Sequence, residues 1–147
     1  MNIKVLMFSL LLFSTVIICV GSGANKEADI DEVLQIMSGT WINPEYDERP
    51  MEAKCVFHQD GTTDNYNKTT DESPRSHNEY TIEEAWYDKE GNIWYKATYV
   101  RIGEYGSGYE LGKLSNGATV WEAVWSRVKY PEELDPMRNY SISYRQE

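Results

Sequence analysis

The fold of this chain follows from residues 29–46, which read DIDEVLQIMSGTWINPEY. Apolar side chains recur at helical spacing before Gly39 and predict a helix of one or two turns, which Asp29 or Asp31 can cap. Gly39 ends this helix, and Trp41 begins the first strand of a β domain. The stretch therefore predicts that a helical turn leads directly into a sheet.

Seven further strands follow the one that begins at Trp41. Alternating segments are separated by loops, and Asp60-Gly61 and Asn116-Gly117 are hairpin signals. The strands are predicted at residues 41–43, 51–58, 62–69, 79–87, 93–102, 109–114, 119–128 and 140–145. No helix between them is long enough for a parallel crossover, so the pattern predicts an all-β fold, an eight-stranded antiparallel up-and-down β-barrel with a short N-terminal helical turn. Such a barrel is either filled by side chains or holds one small ligand.

The first 24 residues have the pattern of an export signal. A basic start at Lys4 precedes an apolar run over residues 5–20, and small residues lead to Ala24. This pattern is typical of a signal peptide cleaved after Ala24, and the run is too short and wrongly flanked for a transmembrane span. Residues 25–30 are polar and expected to be mobile. The chain is expected to divide into a signal peptide (1–24), a polar linker with a short helix (25–37) and the barrel domain (38–147).

Cys19 gives this segment a second interpretation. A cysteine just after an apolar run also resembles a bacterial lipoprotein signal, and lipidation there would anchor the protein. We therefore predict a secreted or periplasmic protein, with a membrane-anchored lipoprotein as the alternative and no other membrane contact. Cleavage after Ala24 leaves Cys55 as the remaining thiol, which excludes an internal disulfide and indicates a buried, inert side chain.

Acidic residues outnumber basic residues, and the formal net charge is −10. Loss of residues 1–24 removes Lys4 and no acid, which changes this charge to −11. An acidic surface disfavours binding to nucleic acid and to anionic lipid. We therefore predict no nucleic-acid partner, and we expect a monomer.

Large rings are abundant in this chain, with five Trp and eleven Tyr. So many rings in a small β domain need either a packed interior or a ring-lined pocket. Strand alternation gives Tyr80 and Trp86 one common face, and it gives Trp121 and Trp125 another. These four residues are the candidates for ligand binding, and core packing is the alternative.

The motifs favour neither metal binding nor catalysis. His58 and His77 are the only histidines, and neither has a second His or Cys at ligand spacing, so no metal and no cofactor are predicted. Adjacent Glu83 and Glu84 point to opposite faces of a strand, and no Ser or Cys lies beside a His and an acid in a recognisable nucleophile motif. The protein is therefore predicted not to be an enzyme.

Gly39-Thr40-Trp41, after a short helical turn, resembles the opening motif of the lipocalin superfamily. Lipocalins also carry an Arg on the last strand that packs across this Trp, and Arg145 is the matching residue. The resemblance implies that Gly39, Trp41 and Arg145 close one end of the barrel. The second lipocalin motif has no clear match here, and the usual disulfide is absent. The phrases GTWINPEY, EGNIWYK and YSISYRQ are also similar to those of bacterial exported proteins described as lipocalin-like.

These observations favour an exported lipocalin-like barrel that binds a small hydrophobic ligand, apolar or aromatic-compatible, without catalysis. The alternative is a filled barrel that serves as a protein- or carbohydrate-interaction module at the cell surface. A filled interior predicts a solid core and an exposed aromatic patch, whereas a binding barrel predicts an open cavity. The interior therefore distinguishes the two functions.

Overall fold

The computed structural model describes residues 25–46, 52–102 and 106–147. It shows a closed antiparallel β-barrel of eight strands with one short α-helix at one end, which confirms the predicted fold class. The proposed signal peptide, with Cys19, lies outside the described residues.

Eight strands pair in chain order around the barrel, and the last strand pairs with the first through Trp41 and Arg145. A ninth, short strand lies beside the barrel. The elements are β1 (Lys26–Glu27), α1 (Ile30–Met37), β2 (Gly39–Ile42), a 3-10 turn (Pro44–Tyr46), β3 (Lys54–Phe57), β4 (Thr62–Tyr66), β5 (Ser76–Tyr87), β6 (Ile93–Arg101), β7 (Ser107–Ser115), β8 (Val120–Ser126) and β9 (Tyr140–Arg145).

Helix α1 covers one end of the barrel. The Asp29 side chain caps it by accepting hydrogen bonds from the backbone N–H groups of Asp31 and Glu32, at 2.9 and 3.2 Å. Val33 and Met37 point into the barrel end and are fully buried. The residues described contain no helix that is long and apolar enough to span a membrane.

Strand β1 lies within residues 25–30, a segment that the sequence predicts to be polar and mobile. Lys26 and Glu27 pair antiparallel with Tyr87 and Trp86. The partner strand β4 pairs only with the first part of β5, up to Glu79. The later part of β5 therefore has an unpaired edge, and β1 satisfies the backbone groups on that edge.

A β-bulge between Ile82 and Glu84 reverses the alternation within β5. Tyr80 and Ile82 face inward before the bulge, and Ala85 is the next buried residue after it. Trp86 consequently lies on the outer wall, where it pairs with Trp94 of β6. The predicted common face of Tyr80 and Trp86 was wrong because regular alternation does not allow for the extra residue of a bulge.

The hydrophobic core fills the half of the barrel next to α1. Its largest fully buried side chains are Trp41, Tyr95, Phe57, Met37, Leu114 and Val33. The rings pack edge to face, with centroids 5.6 Å apart for Trp41 and Trp121 and 5.0 Å apart for Phe57 and Tyr80. This half of the barrel is therefore solid.

Gly112 of β7 provides the space for one of these rings. It pairs with Tyr95 of β6, and a methyl group at Gly112 would overlap the Tyr95 ring. Gly112→Ala is expected to displace this ring and to lower the free energy of unfolding by about 1–3 kcal/mol, measured by urea denaturation. Gly106→Ala is the control, because its nearest neighbour would lie 3.8 Å away. Equal stability of both variants would show that the Tyr95 ring is not packed on Gly112.

Candidate ligand-binding cavity

A cavity of about 580 Å³ occupies the half of the barrel farther from α1. It lies within the barrel walls and reaches the loops that follow β2, β4, β6 and β8. Its volume lies in the range of about 300–1,000 Å³ that is typical of small-molecule sites. The barrel is thus filled at one end and open at the other, so neither of the two predicted interiors describes it completely.

The floor of the cavity is a buried hydrogen-bond network around Glu110 of β7. The hydroxyls of Tyr80 and Tyr95 both donate to Oε1 of Glu110, Tyr95 at 2.8 Å. Trp121 in turn donates its indole N–H to the Tyr95 hydroxyl. Two tyrosine hydroxyls therefore converge on one carboxylate oxygen, and Trp121 joins the network through Tyr95.

Burial raises the pKa of Glu110 to about 7, because the carboxylate loses its hydration. The two tyrosine hydroxyls favour the ionised form and limit this rise, while the negative charge of Glu52 adds to it. Burial and the nearby Glu110 also raise the pKa values of Tyr80 and Tyr95, so both remain donors. The floor thus holds one carboxyl group that changes charge near neutral pH.

The middle of the wall carries small polar side chains that are inaccessible to bulk water. Thr63 and Asn65 of β4 and Asn78 of β5 are all buried and line the cavity. Asn65 donates to the Thr63 hydroxyl at 3.5 Å. The side-chain oxygen Oδ1 of Asn78 has no hydrogen-bond partner within the described part of the chain. An unpaired buried acceptor costs about 1–3 kcal/mol, and this atom has almost no accessible surface.

Charged side chains surround the mouth. Arg101 donates to Glu52 at 2.8 Å, and both residues are half-buried. Arg75 and Arg127 also line the mouth. Cys55 lines the cavity and is partly exposed instead of fully buried as expected, but the loss of hydration there and the charges of Glu52 and Glu110 raise the pKa of its thiol well above the ordinary value. The thiol therefore remains protonated, in keeping with the inert role expected for it.

Three of the four candidate ligand-binding residues lie together in the cavity wall. Tyr80, Trp121 and Trp125 line it, whereas Trp86 lies on the outer wall beyond the bulge. Whether these residues bind a ligand stays a prediction.

Glu110 and Asn78 were missed by the sequence reasoning. One signal pointed to Glu110, because Gly108 and Gly112 lie two residues to either side of it. Each of these glycines lies under an inward tyrosine ring, which marks the inner face of β7.

Gly39, Trp41 and Arg145 meet at the opposite end of the barrel. The guanidinium carbon of Arg145 lies 4.7 Å from the centroid of the Trp41 ring. Its N–H groups donate to the carbonyl oxygens of Ala118 and Ser38, both at 3.1 Å, and to that of Ile36. Arg145 therefore ties α1 and the β7–β8 turn to the barrel wall, and it lies outside the cavity.

The structure brings both histidines to one carboxylate on the outer wall. His58 and His77 form hydrogen bonds with the two oxygens of Asp64, at 3.1 and 2.5 Å. Burial acts to raise the pKa of Asp64, but these hydrogen bonds outweigh burial and lower it. No group of three or more His, Cys, Asp or Glu residues within the described ranges is arranged to hold a metal ion.

Comparison with known proteins gives no match to a family model, a curated protein or a solved structure. The function therefore has to be argued from the geometry of the cavity.

Proposed function

We propose that this chain is an exported, lipocalin-like barrel that binds a small ligand with an apolar or aromatic body and performs no catalysis. The observation that supports this proposal is the cavity of about 580 Å³, whose wall combines aromatic rings with a few buried polar groups. Binding would bury ligand surface against Trp121 and Trp125, and the polar groups would set the orientation. Export rests on the pattern of residues 1–24.

The absence of catalysis is part of the proposal and rests on the side chains around the cavity. The thiol of Cys55, in the cavity wall, has a raised pKa, and the thiolate is the reactive form of cysteine. His58 and His77 lie on the outer wall with Asp64, so neither lies beside Cys55 as a base. Glu110 is enclosed by tyrosine donors instead of a nucleophile.

Occupancy of the cavity is tested with a blocked variant. Ser141→Trp places an indole in the cavity, because Ser141 lies in its wall. The wild-type protein is expected to retain small molecules from a mixed lipid and metabolite extract, detected by native mass spectrometry, and Ser141→Trp is expected to retain none. Val100→Trp adds the same ring to the exposed outer wall and should bind like the wild type. Repeated empty recoveries, or equal retention by both variants, would contradict binding in the cavity.

The alternative of an interaction module has one supporting observation. Trp86 and Trp94 form a pair on the outer wall, where a sugar ring or a partner protein could stack. However, Lys96 and Lys113 lie over these rings, 6.0 Å from the centroid of Trp86 and 5.3 Å from that of Trp94. Lysine contacts compete with stacking on the same ring faces, so the cavity is the better supported site.

A further inference from the structure

The floor of the cavity holds a carboxylate without a cationic partner. Both tyrosine hydroxyls donate to Oε1 of Glu110, and Oε2 receives no hydrogen bond from any described residue. No described Lys, Arg or His contributes a favourable charge to Glu110. The ionised form of such a buried carboxylate is stabilised by a counter-charge, and the described residues supply only neutral donors.

A second buried acceptor lies in the cavity wall on β5. Asn78 is two residues from Tyr80 on the inner face, about 7 Å along the strand and on its mouth side. Its Oδ1 atom is buried and unpartnered within the described ranges. Among the described residues, neither Oε2 of Glu110 nor Oδ1 of Asn78 has a donor, and Oε2 is the acceptor that faces the cavity.

The walls around these acceptors are aromatic. Tyr80, Trp121, Trp125 and Tyr99 all line the cavity. Ring faces attract cations and hold apolar bodies equally well, and a cation is attracted more strongly where water is excluded. Carboxylate, amide oxygen and aromatic rings together form an environment that favours an ammonium group over a neutral or anionic one.

We propose that the inner end of the cavity recognises a small primary ammonium carried on a short aromatic or apolar body. The ammonium donates to Oε2 of Glu110, and the body packs against Trp121 and Trp125. This inference rests on the proposed function, because it names the ligand class of the same cavity. Arg75, Arg101 and Arg127 lie at the mouth, so their positive charges lie near the outer end of the ligand.

Three probes of one shape test this inference: 2-phenylethylamine, 2-phenylethanol and 3-phenylpropanoate, titrated by calorimetry at pH 8. The amine is expected to bind at least tenfold more tightly than the alcohol, because only the amine neutralises Glu110. Glu110→Gln is expected to reduce this difference to less than threefold. Glu52→Gln is the matched control, since Glu52 lines the same cavity but pairs with Arg101 at the mouth, and it should keep the preference.

The pH dependence provides a second readout. Glu110 must be ionised to pair with the amine, so affinity for the amine is expected to rise about tenfold from pH 5 to pH 6 and to level off above pH 7. The titratable groups around Glu110 are Tyr80, Tyr95, Tyr99, Cys55 and Glu52. If the affinity of Glu110→Gln for the amine does not change with pH, the titrating group in the wild type is Glu110.

Each contrary outcome has a distinct meaning. Equal affinity for amine and alcohol, tighter binding of the carboxylate, or an unchanged preference in Glu110→Gln would overturn the ammonium site and leave the binding cavity intact. If no probe binds and extracts leave the protein empty, the binding function itself fails, and the ammonium site fails with it.

Discussion

Replacing Trp41 with alanine is expected to lower the free energy of unfolding by about 3–5 kcal/mol, the range for truncation of a large buried aromatic side chain. Trp41 is fully buried, and its indole N–H donates to the Met37 carbonyl at 2.7 Å. Its ring packs edge to face on Trp121 and lies beneath the guanidinium of Arg145. Truncation therefore removes apolar contacts, a hydrogen bond and the surface on which Arg145 rests.

Urea denaturation monitored by circular dichroism measures this loss. Trp86→Ala is the control, because it removes the same side chain from the outer wall and is expected to cost much less. Trp41 does not line the cavity, so the ratio of amine to alcohol affinity should remain unchanged in folded Trp41→Ala. Similar losses in the two variants would contradict the packing role assigned to Trp41.

The barrel could be predicted from the sequence because the signals that indicate it are local. Alternation, hairpin signals and the Gly39-Thr40-Trp41 motif each depend on neighbouring residues, and together they predicted the helix-to-strand junction and all eight barrel strands. Arg145 was paired with Trp41 by its resemblance to the lipocalin pattern. The structure places the two residues opposite each other in the β2–β9 register.

The missed features depend on long-range contacts or on irregular backbone. The bulge in β5 adds one residue to one strand, and no turn residue in the sequence marks it. His58 and His77 both form hydrogen bonds with Asp64 of β4, although the two histidines are not at metal-ligand spacing in the sequence. The network at Glu110 forms only when β5, β6 and β7 are in register, because its two tyrosine hydroxyls and its carboxyl group lie on different strands.

The same network accounts for a barrel that is filled at only one end. Tyr80, Tyr95 and Trp121 extend the core up to Glu110, where the two tyrosine hydroxyls donate to the carboxyl group and Trp121 donates to Tyr95. Beyond this layer several of the inward residues are small and polar, as at Thr63, Asn65 and Ser141. Small side chains cannot fill an eight-stranded barrel, so a cavity remains above the network.

Glu110→Gln is expected to remove most of the pH dependence of stability between pH 4.5 and pH 7. The ordinary pKa of this carboxyl is 4.5, and burial raises its pKa to about 7 in the folded protein. Between these values the folded state binds more protons than the unfolded state, so the free energy of unfolding falls as pH rises. This difference in pKa corresponds to a decrease of about 3 kcal/mol in the free energy of unfolding of the wild type between pH 4.5 and pH 8.

Glutamine can still accept the Tyr80 and Tyr95 hydrogen bonds through its amide oxygen, and it carries no charge to desolvate. The variant is therefore expected to equal the wild type near pH 4.5 and to exceed its stability by about 3 kcal/mol at pH 8. Urea denaturation at half-unit pH steps measures both curves, and subtraction cancels the titration of groups that the two proteins share. Parallel curves would contradict a buried, proton-binding Glu110. At one fixed concentration, 2-phenylethylamine should stabilise the wild type more than Glu110→Gln at pH 8, since the ammonium pairs only with an ionised Glu110.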